Sequence, residues 1–109
     1  MTVTDDIKSL LRELKQGLNE IYGSQMSAIY LYGSYARGEA HPLDSDIDVL
    51  IVLKGDFDYL QMLKRSENYA ATFCLEHDVV VSRALVSEAE YQHKQTPFLI
   101  NVRRDAIAV

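Results

Sequence analysis

The hydrophobic pattern at the start of the chain predicts a long amphipathic helix. Thr4 or Asp5 can cap its first turn, and the pattern continues to about Tyr22, where Gly23-Ser24 ends it. Spacing of three and four residues places the apolar side chains on one buried stripe. The members of this stripe are Ile7, Leu10, Leu11, Leu14, Leu18 and Ile21.

Three apolar runs further along the chain predict β-strands. The first extends from about Met26 to Tyr32, and the second is the run Val49 to Leu53, opened by Asp46-Ile47-Asp48. Both runs are nearly continuous, which is typical of strands buried on both faces. A third strand is predicted from Asp78 to about Leu85, because it contains three consecutive β-branched valines.

The segments after the second strand predict one helix before the third strand and further helices after it. Asp56 or Asp58 opens a helix that extends to about Leu75, Ser87–Glu90 has the spacing of a capping box, and Thr96-Pro97 begins a last helix. The order is therefore helix, strand, strand, helix, strand, helix. This order predicts an α/β (α+β) layer structure in which a small mixed sheet is packed with helices.

Composition narrows the functional classes. With 109 residues, the chain is expected to be one domain, residues 1–109. A net charge of -5 argues against direct nucleic-acid binding, which needs clustered lysine and arginine. The single cysteine, Cys74, excludes an internal disulfide or a cysteine zinc site. No signal peptide and no apolar run of roughly 20 residues is visible, so we expect a cytoplasmic protein without membrane contact.

The chemistry is concentrated between the first two strands. Gly33-Ser34 lies where the first strand gives way to a helical turn, and there glycine lets a phosphate approach the backbone N–H groups. Asp46 and Asp48 alternate along the start of the second strand, so they share one face. Two such carboxylates suit Mg²⁺, which takes its other ligands from water and substrate phosphates. A phosphate cradle beside a metal site is what nucleotidyl transfer from a nucleoside triphosphate requires.

Each half of this pattern is weak by itself. Gly33-Ser34 alone would be interpreted as an ordinary turn, and Asp-x-Asp alone as a solvated turn before an edge strand. Asp44 and Asp46 have the same alternate spacing as Asp46 and Asp48. The second pair is preferred because Asp48 leads directly into the apolar strand.

Gly33-Ser34 followed by Asp46-Ile47-Asp48 resembles the motif of the DNA polymerase β-like nucleotidyltransferase superfamily. The segment Gly-Ser-Tyr-Ala-Arg-Gly and the short chain resemble its minimal nucleotidyltransferases (MNT), in particular the MntA-type antitoxins encoded beside HEPN-domain toxins. The resemblance implies a polymerase β-like fold. The segment from Tyr35 to Ser45 is one residue longer than the MNT pattern, and we expect a local bulge there.

The resemblance also implies a role for each matching residue. Gly33 and Ser34 would hold the triphosphate of ATP, while Asp46 and Asp48 would bind Mg²⁺, two ions being expected. Asp78 matches the third carboxylate, which in the family helps to bind the catalytic metal and activates the acceptor hydroxyl. For Arg37 a phosphate contact and a plain surface charge remain equally open.

The implied reaction is transfer of AMP from ATP to a tyrosine hydroxyl of a cognate HEPN ribonuclease toxin, with release of pyrophosphate. ATP and the toxin are then the expected partners, the toxin in a hetero-oligomer. Two alternatives remain open: an antitoxin that neutralises the toxin by binding alone, and an aminoglycoside-like nucleotidyltransferase acting on a small molecule. Enzymes of the last kind usually carry an additional acceptor-binding domain, which this chain lacks.

Overall fold

The computed structural model describes residues 5–40 and 46–109. The predicted cap at Thr4 and the position of Asp44 lie outside these ranges. A 3-10 turn at Gly23–Gln25 leads from the first helix to the first strand. In chain order the elements are α1 Asp5–Tyr22, β1 Met26–Tyr32, α2 Gly33–Arg37, β2 Ile47–Leu53, α3 Tyr59–Arg65, α4 Glu67–His77, β3 Val81–Ser87, α5 Glu88–His93, α6 Pro97–Asp105 and β4 Ile107–Ala108.

The described strands form one mixed sheet in the order β3-β2-β1-β4. β1 is antiparallel to β2 and to β4, whereas β2 and β3 are parallel. The predicted mixed sheet with packed helices is thus confirmed. The sequence did not predict β4, a two-residue strand that pairs Ala108 with Tyr30 and Ile107 with Leu31.

Helices cover both faces of the sheet. Val49 and Ile51 of β2 lie in a core shared with α1, α3 and α4, while Leu50 and Val52 pack against α6 on the opposite face. Each of these side chains is at most 2% exposed. This two-sided burial is the physical reason for the nearly continuous apolar run of β2.

The stripe predicted for α1 is confirmed, since Leu11, Leu14 and Leu18 are buried. The ring of Tyr69 in α4 lies where a Cβ on Gly17 would be. The absence of a side chain therefore lets α1 and α4 approach closely.

In the described part of the chain, no helix combines the length and hydropathy that crossing a bilayer demands.

The single helix predicted from Asp56 or Asp58 to Leu75 is wrong, because the structure has two helices that meet at Ser66. Ser66 is completely buried, and its hydroxyl lies 2.8 Å from the Tyr22 hydroxyl. Arg83 of β3 donates to the same hydroxyl at 2.6 Å and to the Leu63 carbonyl at 3.0 Å. These distant partners replace helical hydrogen bonds at the break, and local periodicity does not reveal them.

Candidate functional site

The two predicted aspartates lie at the start of β2, on the sheet face that α6 covers. The register pairs Asp48 with Tyr32 of β1 on one side and with Ser82 of β3 on the other. Paired residues of neighbouring strands point to the same face, so these three side chains form a row across the sheet. Asp46 directly precedes the strand and is exposed.

Gly33 brings the predicted phosphate cradle against this row. It begins α2 directly after Tyr32, and its φ of 73° is in the left-handed region that favours glycine. A Cβ built on Gly33 would overlap the Asp48 carboxylate and would lie 3.2 Å from the Asp48 Cγ. The structure therefore places the backbone of Gly33 in direct contact range of a candidate metal ligand.

The electrostatics of the site are dominated by two neighbouring negative charges. Burial raises the pKa of Asp48 above its ordinary value of 3.8, the charge of Asp46 raises it further, and the Arg37 guanidinium lowers it. Burial and then the Asp48 charge also raise the pKa of Tyr32. Two carboxylates that repel each other across a short distance form an oxygen-donor set that a divalent cation would neutralise. The donor set thus fits Mg²⁺.

Arg37 lies at the C-terminal end of α2, beside the site. Its Nε donates to Glu39 Oε2 at 3.4 Å, but 44% of its side chain is exposed. The Arg37 charge also helps to lower the pKa of Asp105, after the stronger effect of the Arg104 hydrogen bond. Arg37 is consequently a surface charge that also acts on Asp48, which is compatible with both sequence-based interpretations of it.

A cleft of about 220 Å³ opens beside Gly33, between α2 and α6. The ring of Phe98 closes one end by packing edge-on against Tyr32, with centroids 5.3 Å apart. The sequence did not predict that α6 lines this cleft. Its lining residues are spaced by three and four positions after the helix start at Thr96-Pro97, which places them on one face of the helix. The lining residues are Tyr32, Gly33, Arg37, Phe98, Asn101, Val102 and Asp105.

Asp78 is the predicted site residue that the structure does not bring to the others. It was expected to open the third strand, but it ends α4 in a left-handed conformation with φ of 53°. β3 starts only at Val81, and the Ile47 N–H donates to the Val80 carbonyl at 2.8 Å. Within residues 5–40 and 46–109, no three His, Cys, Asp or Glu side chains are grouped for a metal ion. The metal-binding role of Asp78 stays a prediction, which this register does not favour.

Comparison with known sequences finds a family model and several related proteins that match this chain. A family model described as "Nucleotidyltransferase domain" matches residues 11–106. The protein named protein adenylyltransferase MntA from Thermococcus cleftensis is 33% identical over 87 residues, which are 80% of this chain and 85% of that protein. The protein MJ0604 from Methanocaldococcus jannaschii is 34% identical over 84 residues, 77% of each chain.

Two solved structures share the fold. One is a toxin–antitoxin complex with AMP-PNP, matched with a TM-score of 0.59 and 22% identity over 91% of this chain and 70% of that one. The other is a mutant MntA-HpeT toxin–antitoxin complex, matched with a TM-score of 0.57 and 21% identity over 90% of this chain and 70% of that one. At these identities the similarity concerns the fold, and it agrees with the mixed sheet and helices described above.

Proposed function

The chain belongs to the nucleotidyltransferase domain family, and from this premise we propose that it transfers AMP from ATP to a tyrosine hydroxyl of a HEPN ribonuclease toxin. The observation that carries the proposal is the contact between the Gly33 backbone and the Asp48 carboxylate, because it joins a phosphate cradle to a metal-binding pair. A relative 33% identical is named a protein adenylyltransferase. Two structures with the same fold are toxin–antitoxin complexes.

Each site residue has a distinct part in this proposal. Asp46 and Asp48 would hold Mg²⁺, and the ion would supply neutralisation of charge on the phosphates. Gly33 and Ser34 bind the triphosphate through backbone N–H groups, and the missing side chain of Gly33 lets this backbone lie against the Asp48 carboxylate. Arg37, which faces the same carboxylates, contributes a positive charge to the bound phosphates.

The reaction forms one bond and breaks another. The tyrosine oxygen attacks the α-phosphorus of ATP, the bond from that phosphorus to the bridging oxygen of the β-phosphate breaks, and pyrophosphate leaves. The tyrosine proton must pass to a base as the new bond forms. The chain supplies mainly positioning and charge neutralisation, which account for most of the catalysis in phosphoryl-type transfers. We place the reaction in the cytoplasm and assign it to a single domain.

The test is intact-mass spectrometry of the toxin after incubation with the chain, ATP and Mg²⁺. We expect the toxin to gain one or more AMP masses on a tyrosine, and to lose this gain when Asp48→Asn replaces the wild-type chain. Size-exclusion chromatography must show that the variant still binds the toxin. Absence of an adduct from a correctly folded wild-type complex would contradict the proposal.

The two alternatives give different results in the same experiment. An antitoxin that acts by binding alone would protect RNA from the toxin equally well as wild type and as Asp48→Asn. A small-molecule nucleotidyltransferase would place AMP on an aminoglycoside in the absence of any toxin. We expect neither result, since the contact of Gly33 with Asp48 supports a nucleotide site and a relative 33% identical is named a protein adenylyltransferase.

A further inference from the structure

The strand beside the two aspartates carries no carboxylate at the matching positions. Because β2 and β3 are parallel and in register, Ser82 pairs with Asp48. Val80 precedes Ser82 by two residues and shares its face, whereas Val79 and Val81 pack into the core on the other side. The residues that extend the row of Asp46 and Asp48 are therefore Val80 and Ser82, both exposed.

Other acidic groups near this row are already engaged. Both Asp105 carboxylate oxygens accept hydrogen bonds from Arg104 at 3.0 Å, and Glu39 accepts from Arg37. Asp78 precedes Ser82 by four residues, and its left-handed conformation turns the chain before the strand begins. In residues 5–40 and 46–109, no three His, Cys, Asp or Glu side chains are grouped for a metal ion. Within the described ranges, Asp46 and Asp48 thus form a pair without a third carboxylate.

Besides the first metal ion, a site that transfers a nucleotide to a hydroxyl needs a base and a second metal ion. The tyrosine proton needs a base, and a second metal ion about 4 Å from the first needs further carboxylate oxygens. Two carboxylates and the phosphates of ATP can hold one Mg²⁺ with its usual ligands. These ligands supply neither the base nor the second metal site. On the side of the row next to β3, the neighbouring side chain is that of Val80, which is 59% exposed and carries no charge.

We propose that this chain contains a two-carboxylate site that binds ATP with one divalent ion, and that the acceptor protein itself supplies the base at the position of Ser82. The inference rests on the proposed function. It makes the active site complete only in the complex with the acceptor. It also identifies position 82 as the place where a carboxylate introduced into the chain would act.

The test uses the full chain with Ser82→Asp and three comparison variants. Ser82→Asn adds a similar volume without charge, Asp78→Asn removes the carboxylate predicted from the sequence, and Asp48→Asn removes a metal ligand. The first readout is Mn²⁺ binding in the presence of a non-hydrolysable ATP analogue, measured by electron paramagnetic resonance. We expect one bound ion for wild type, Ser82→Asn and Asp78→Asn, and two for Ser82→Asp.

The second readout is AMP transfer to a short tyrosine peptide compared with transfer to the intact toxin. Wild type should modify the peptide far more slowly, and Ser82→Asp should accelerate the peptide reaction by about 10²-fold, the lower end of what a general base contributes. Thermal unfolding without metal shows whether Ser82→Asp folds, and its melting temperature should rise on addition of Mn²⁺ more than that of wild type.

Two results would overturn the inference. One is a second Mn²⁺ in wild type, whether or not Asp78→Asn removes it. The other is a correctly folded Ser82→Asp variant with no gain in metal binding or peptide transfer. Failure of the proposed function looks different: wild type would then bind neither Mn²⁺ nor the ATP analogue, or Asp48→Asn would bind both unchanged.

Discussion

Replacement of Gly33 by alanine tests the contact on which the site depends. The same chain offers a matched control in Gly55, because both glycines have φ of 73°. A Cβ at Gly55 meets nothing within 4 Å, whereas a Cβ at Gly33 overlaps the Asp48 carboxylate. Both substitutions therefore place an alanine at the same left-handed φ, and only Gly33→Ala adds a collision with the candidate metal ligand.

The expected magnitudes follow from these two contributions. An alanine held in the left-handed region costs about 1–2 kcal/mol of stability, and this cost applies to Gly55→Ala and Gly33→Ala alike. Forcing a methyl group into occupied space costs about 1–3 kcal/mol more, and this cost applies to Gly33→Ala alone. Rotation of the half-buried Asp48 carboxylate can relieve part of the collision, but it would move that carboxylate away from the position in which we propose that it holds a metal ion.

Urea unfolding measures the free energy of unfolding of both variants, and calorimetry measures their affinity for ATP in the presence of Mg²⁺. We expect Gly55→Ala to lose stability only. Gly33→Ala should lose more stability and also bind ATP at least about tenfold more weakly, a change of about 1.4 kcal/mol. Equal stabilities together with unchanged ATP affinity in both variants would refute the contact between Gly33 and Asp48 as the basis of the site.

Three other substitutions give separate outcomes. Asp48→Asn should raise the melting temperature at neutral pH without metal, because the raised pKa of Asp48 makes its ionised form unfavourable in the folded protein. This gain in melting temperature should vanish as pH falls below 3.8, where the carboxylate is protonated in the folded and the unfolded protein alike. Arg37→Ala should weaken ATP binding about tenfold in calorimetry, whereas Glu39→Ala should not, since only Arg37 faces the phosphates in our proposal. Ser66→Ala should cost about 1–3 kcal/mol in urea unfolding without changing ATP affinity, because it removes the buried hydrogen bonds of Ser66 with Tyr22 and Arg83 and touches no residue of the proposed site.

The sequence predicted the fold where local patterns decide it. The bounds of β1, Met26–Tyr32, agree with the prediction, and the capping box at Ser87 and Glu90 begins α5 as expected. The break at Ser66 could not be predicted, because the groups that stabilise it, Tyr22 and Arg83, are 44 and 17 residues away in the chain. Hydrophobic periodicity contains no information about such contacts.

The same distinction applies to the site. Gly33 and Asp48 belong to consecutive elements, β1, α2 and β2, so local spacing was sufficient to predict that they meet. Phe98 and Asn101 complete the cleft from a helix some sixty residues later, and nothing in their local sequence points to Gly33. Their contribution depends on how α6 packs across the sheet, which is a property of the whole fold.

Asp78 shows most clearly what alternation along a strand can and cannot predict. Asp78 and Ser82 are separated by an even number of residues, so alternation assigns them to the same face. Alternation does not say where along the strand pairing begins, and three consecutive valines offer no marker for it. In the structure the left-handed Asp78 keeps the chain out of the strand, and the register brings Ser82 to Asp48 instead. Alternation could not show that β3 begins only at Val81, and this displacement of four residues, from Asp78 to Ser82, separates the predicted site with three carboxylates from one with two.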